Sequence, residues 1–147
     1  MSQTVSLRLP EEMIGRLDRF ARMLGNGATR ARAGLILLDE ALKEAEFAGI
    51  EFCNTSLGRQ PYVKQTGMAV WEFIMVAQEF DMDTARVATH LSCPAESVQS
   101  ALNYYRAYPD EIDLAIADND IGEERLKRMF PNLHVTAFAT QGEEPVT

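Results

Sequence analysis

Residues 4 to 9, "TVSLRL", alternate strictly. Val5, Leu7 and Leu9 fall on one face of an extended segment, with Thr4, Ser6 and Arg8 on the other. That pattern predicts a half-buried strand, yet no second segment of the kind follows through residue 46. A lone strand leaves a row of backbone donors and acceptors unpaired and does not hold in water. Its mate is therefore expected from a second copy of the chain. Two copies pairing antiparallel through residues 4 to 9 make a two-stranded ribbon, whose Val5, Leu7 and Leu9 face lies on helices.

Those helices follow at once. Pro10 with Glu11 and Glu12 makes a sound helix start, because the ring suits the first turn and the carboxylates face the positive end of the dipole. Ile14, Leu17, Ala21 and Leu24 recur at helical spacing, with Phe20 beside them. "GNGA" ends this helix near Leu24, and Thr29 is placed to cap a second one. There Leu35, Leu38, Leu42 and Ala45 form an apolar stripe, widened by Leu37 and Ala41, so burial along much of that helix is expected.

Strand, immediate helix, glycine turn and capped second helix together resemble the ribbon-helix-helix repressors and antitoxins of the Arc, MetJ and CopG type, over about residues 3 to 46. The resemblance implies an intertwined homodimer whose ribbon enters the major groove of operator DNA. Carried over by position, Thr4, Ser6 and Arg8 would read base edges, and the backbone around Ala28, Thr29 and Arg30 would hold a phosphate, with Arg32 as a further phosphate contact. The chemistry suits the transfer: arginine can bond both guanine acceptors, and a helix N-terminus binds phosphate through free amides and the dipole.

Net charge, -8 over 147 residues, would argue against nucleic acid if it were spread evenly. It is not. Residues 1 to 46 hold seven basic and seven acidic groups, while residues 47 to 147 hold seven against fifteen. A split of this kind points to two roles, a head that tolerates phosphate and an acidic remainder suited to a basic protein.

After Gly49, "IEFCNTSLGRQPYVK" alternates weakly around "TSLG" and reads as a small hairpin. "MAVWEFIMVAQEF" is a helix buried on most of its surface, with Trp71, Phe73, Ile74 and Phe80 as core. Asp83 is placed to cap "TARVATHL", "SCP" breaks it, and "AESVQSALNYYRAY" is a longer helix. Pro109 and Asp110 then open a short helix, "EIDLAIAD". Helix, brief turn and helix resemble a helix-turn-helix, but Glu96, Gln99, Ser100, Asn103 and Arg106 give its outer face little charge for DNA.

"GRQPYVKQTGMAVWEF" with "DMDTARVATHLSCPAESVQSALNYYRAYPDEID" resembles a second family over about residues 50 to 116, a small bacterial and archaeal domain often paired with PIN-like toxins. Gly58, Arg59, Thr66, Gly67, Val70, Trp71, Glu72, Ala101, Leu102, Tyr104, Tyr105, Pro109, Glu111, Ile112 and Asp113 carry that resemblance. Cys93 stands where a serine or threonine cap is usual. Tyr105 is expected in the core, and Tyr104 and Tyr108 as anchors for a partner. Beyond "DND", Leu126, Met129 and Phe130 make an apolar patch on a short helix from Glu123 that either packs on the middle unit or folds onto a partner. "LHVTAF" follows as an extended stretch, and residues 139 to 147 are expected to be disordered.

The expected organisation is mainly α: a ribbon-helix-helix dimer over residues 1–48, a small helical domain with an N-terminal hairpin over 49–119, and a tail over 120–147. No charged leader with a cleavage site stands at the N-terminus and no window approaches about 18 apolar residues, so a cytoplasmic chain free of the membrane is expected. Cys53, Cys93, His90 and His134 complete no metal-ligand spacing, and no nucleophile and base pair stands out, so neither metal, cofactor nor catalysis is expected. Together the two resemblances imply an antitoxin that binds a PIN-like ribonuclease toxin and represses its own operon. The alternatives are a stand-alone repressor whose C-terminal domain senses a ligand or oligomerises, and a scaffold with no DNA role.

Overall fold

Helix α1 (Glu11–Leu24) starts directly behind Pro10, whose carbonyl accepts from the Ile14 amide at 3.0 Å. Gly25, Asn26 and Gly27 then take φ values of 71°, 53° and 66°, a left-handed run that turns the chain and that glycine adopts without steric cost. Thr29 caps α2 (Arg30–Glu46) as its position predicts, its hydroxyl accepting from the Arg32 amide at 3.1 Å. This computed structural model describes residues 1–129.

Three faces of α2 have different fates. Ala33 is fully buried, on a helix packed against α1. Glu40 and Lys43 are buried too, the acid against Arg59 and the amine against Glu111. By contrast Leu35, Leu38 and Leu42 are exposed at 67%, 52% and 54%. The stripe expected inside the molecule thus lies on its surface. Apolar periodicity marks a face that excludes water but leaves open which molecule covers it.

Beyond a joint at Gly49, β1 (Ile50–Thr55) and β2 (Gly58–Val63) form the expected hairpin, in register from Ile50 opposite Val63 to Thr55 opposite Gly58. Thr55 holds the two-residue turn, its hydroxyl accepting from the Leu57 amide and donating to the Gly58 carbonyl. A third strand, β3 (Met68–Ala69), which the pattern does not reveal, pairs with Tyr62 and Val63. It leads straight into α3 (Val70–Glu79), where Glu72 reaches back to accept from the Ala69 amide at 2.7 Å. Pro61 is tolerated in β2 because β3 pairs only with the two residues after it.

Asp83 caps α4 (Thr84–Leu91) by accepting from the Arg86 amide at 3.1 Å. Ser92, in left-handed conformation, ends it. At the start of α5 (Ala95–Ala107) the cap position belongs to Pro94. Cys93 therefore lies one residue outside the place expected for it, and its thiol packs against the core instead. Phe73 and Ile74 are fully buried as expected, together with Ile50, Val63, Val87, Val98 and Ile112. Trp71 and Phe80 line the same core half-buried. Each such side chain contributes about 1.5–3 kcal/mol on leaving water.

The last helix departs most from expectation. In place of two short helices, α6 (Pro109–Met129) runs unbroken across Asn119, Asp120 and Gly122. Its first turns pack on α3 and α5, and its far half stands almost wholly in solvent. The fold is therefore mainly helical, with six α-helices and one three-stranded antiparallel sheet among the described residues.

Candidate nucleic-acid and partner interface

Residues 1–9 form no regular strand within the protomer. A strand exists only as part of a ladder, and the mate expected for residues 4 to 9 belongs to a second copy. On β1 the Phe52 amide donates to Glu44 Oε1 of α2 at 2.8 Å. Val5 and Leu7 stay 79% and 71% exposed. Leu7 and Leu9 border an open apolar groove of about 470 Å³ formed with Met13, Leu17, Phe20 and Leu37. Leu35, Leu38 and Leu42 of α2, with Val5 and Leu7 of the N-terminal segment, leave the head with apolar side chains facing water.

Thr4, Ser6 and Arg8 are all exposed. Ala28 is half-buried, while Thr29 and Arg30 are exposed at the start of α2. Arg30 makes two bonds to Asp18, Nε to Oδ1 at 2.8 Å and Nη2 to Oδ2 at 2.9 Å. That hydrogen-bonded pairing holds the Asp18 carboxyl below its ordinary range. The Arg30 side chain is therefore occupied, and what this corner offers an anion is the first amides of α2 with the positive end of its dipole.

The tertiary structure also sorts the head's charges. Asp39 and Glu40 engage Lys43 and Arg59, and Glu44 takes the Phe52 amide. Residues 1–38 are left with six arginines (Arg8, Arg16, Arg19, Arg22, Arg30 and Arg32) against Glu11, Glu12 and Asp18. All six arginines are exposed. The zero balance of the head thus separates into a basic end and an acidic end, and of the acids at that second end Glu40 meets a cation from the rest of the chain, Arg59.

That seam decides the fate of the tyrosines. Tyr104, expected as a partner anchor, is fully buried: Phe47 meets its ring edge-on at 5.4 Å and its hydroxyl donates to Glu111 Oε1 at 2.8 Å. Burial pushes its phenol far above the ordinary value, and the Glu111 bond adds to the effect. Tyr108 is half-buried beneath Lys43 Nζ, 4.4 Å from the ring centroid. Both placements have one cause: Phe47, just past α2, meets the rings of Tyr104 and Tyr108, whereas the sequence reads the head and the middle as separate units. Tyr105, expected in the core, is half-buried and donates to Asp113 Oδ1 at 2.8 Å.

Lys43 joins the two parts. Its Nζ lies 3.0 Å from Asp39 Oδ2 and 2.9 Å from Glu111 Oε2. Burial works to lower its pKa, but the two carboxylates outweigh that and hold it above the ordinary amine value. Arg59, bonded twice to Glu40, is likewise held above its ordinary value.

Of the expected tail contacts, Leu126 and Met129 are exposed on α6, and Phe130 lies outside the described residues, as do the extended stretch and the terminal segment beyond it. Sequence reading missed Leu57, Leu114 and Ile121, exposed at 73%, 63% and 64%. A leucine in a two-residue hairpin turn was the available signal for the first, since turns are normally polar. Burial pushes the thiols of Cys53 and Cys93 up, which leaves them poor nucleophiles. Among the described residues no group of His, Cys, Asp and Glu is placed to hold a metal, and no helix is long and apolar enough to cross a membrane. No family model, curated protein or solved structure matches the chain.

Proposed function

We propose that the chain is a homodimeric DNA-binding repressor of ribbon-helix-helix type and the antitoxin of a toxin–antitoxin pair. A second copy supplies the strand that residues 4 to 9 lack, and Leu35, Leu38 and Leu42 pack against their counterparts. Thr4, Ser6 and Arg8 then face operator DNA, with phosphates held at Ala28, Thr29 and Arg30. The observation that carries this reading is the inversion of α2, whose leucines are exposed while Glu40 and Lys43 are buried. A helix so arranged is unfinished as a monomer. The arginine-rich end of the head supports the choice of nucleic acid as ligand.

The toxin half of the proposal rests on the resemblance of residues 50 to 116 and on the acidic excess after residue 46. A ribonuclease with a basic RNA groove, of PIN-like type, is the partner such a surface suits. DNA upstream of the protein's own gene tests the first half. The chain is expected to run as a dimer and to retain that DNA, with Arg8→Ala weakening retention by roughly 1–3 kcal/mol for a lost base contact. A monomer at micromolar concentration, or an Arg8→Ala variant that binds like the parent, overturns it. Co-expression with the product of the adjacent gene tests the second half, a stable complex being expected.

A further inference from the structure

Between the hairpin and α6 lies a second groove, of about 240 Å³, that none of the roles above uses. Ile112, fully buried, and Trp71, half-buried, form its floor together with Pro61. Leu57 and Leu114 also line it and stand largely in solvent. Leu57 is placed there by the turn, whose hydrogen bonds need only the backbone of that residue and the hydroxyl of Thr55. Ile121, seven residues beyond Leu114 on α6, continues the same helix face outward.

The charges around this groove are specific. Arg59 is neutralised by Glu40 and Glu111 by Lys43, so two of the three charged groups lining it are already paired. Asp118 is exposed and makes no ion pair among the described residues. On the same helix Asp120 likewise makes no ion pair among the described residues, whereas Glu123 and Glu124 further on are paired with Lys127 and Arg128. An occupant matching this surface carries an apolar side chain flanked by lysine or arginine.

We propose that the groove between Leu57, Trp71 and Leu114 is the docking site for a basic amphipathic segment of a protein partner, which sets an apolar side chain over Trp71 and a cation on Asp118. Ile121 extends the contact along α6. The inference deepens the reading of the acidic part of the chain as partner-binding, and it moves the anchors from the tyrosines of α5 to the rim of this groove. Leu57 and Leu114 sit on either side of the occupant and make the larger share of its contact.

Trp71 is the single tryptophan of the chain, so its emission reports the site directly. The full-length protein is titrated with a helical peptide of leucine and lysine, and in parallel with one of leucine and glutamate. Saturable change in Trp71 emission is expected with the lysine peptide alone. Leu57→Ser and Leu114→Ser should each weaken it about tenfold, and Asp118→Asn should reduce its salt dependence. No saturable response, an equal response to both peptides, or unchanged binding by both leucine variants overturns the site. So does an emission change with protein concentration alone that both leucine variants abolish, which assigns the groove to a second copy. The same variants, co-expressed with the adjacent gene product, separate this inference from the one beneath it. A complex that survives both substitutions removes the groove and leaves the antitoxin reading standing. Peptide binding that needs Leu57 and Leu114, with no complex even for the parent, does the reverse.

Discussion

The Tyr104 hydroxyl donates to Oε1 of Glu111 across 2.8 Å, and both residues stand where α5 gives way to α6. The other oxygen of that carboxylate takes Lys43 from α2 at 2.9 Å. Lys43 and Glu111 lie sixty-eight residues apart in covalent order, yet one carboxylate ties the head to the acidic remainder. Among the described residues no buried side-chain polar atom lacks a partner, so the seam is fully satisfied.

Tyr104→Phe deletes one donor from this seam and keeps the ring packing with Phe47. Glu111 Oε1 then depends on water reaching a partly buried position. A loss of about 1–2 kcal/mol is expected in chemical denaturation at neutral pH, with the cooperativity of unfolding unchanged.

Alkaline pH should act on the same place. Lys43 and Tyr104 both hold their protons more tightly in the folded protein than in the unfolded chain. The stability this contributes is complete below their ordinary values, about 10.4 and 10, and declines as pH rises through and above them. Stability measured from pH 8 to 11.5 should therefore fall from about pH 10 upward. Tyr104→Phe should remove part of that fall and Lys43→Met another part. A flat profile in the parent protein would refute the coupling.

Local signals in the sequence were the ones that survived folding intact. Thr29 and Asp83 cap their helices because a cap needs only its own side chain and an amide three residues on. "TSLG" turns the hairpin for a similarly local reason. What the pattern did not carry was pairing at a distance: Glu40 meets Arg59 nineteen residues away, and Lys43 meets Glu111 across sixty-eight. Without those contacts nothing distinguishes Tyr104 from Tyr105, or tells which face of α2 the chain itself covers. Asn119, Asp120 and Gly122 read as a break because their helix propensity is low. Helix α6 nonetheless continues through them, and Glu123 pairs with Lys127 at 2.6 Å one turn further on.

Capping offers a clean local test. Thr29→Ala removes the oxygen that accepts the Arg32 amide at the start of α2. It should cost about 1 kcal/mol. Loosening that first turn should also weaken retention of DNA at the adjacent amides, which salt-dependent binding would register.

Glu40→Ala leaves Arg59 without its two carboxylate bonds. Both side chains are mostly removed from water, at 8% and 21% exposure, so the guanidinium keeps little solvent to replace what it loses. Removing one partner of a buried pair costs about 3–5 kcal/mol, and the residual exposure of Arg59 puts this case at about 3. Replacing both residues by methionine should recover most of the loss, as measured by thermal or chemical unfolding.

Leu38 is 52% exposed in the middle of the α2 stripe, and its neighbours there, Leu35 and Leu42, stand one turn away on either side. Within the protomer a lysine at this position has only solvent to meet, so Leu38→Lys should leave the helical content and the unfolding of the middle unit intact. Across a dimer it would bury a charge opposite its own copy, which association does not tolerate. Sedimentation at micromolar concentration should therefore give a dimer for the parent chain and a monomer for the variant, with DNA retention lost alongside. A variant that sediments like the parent would show that the leucines face something other than a second α2.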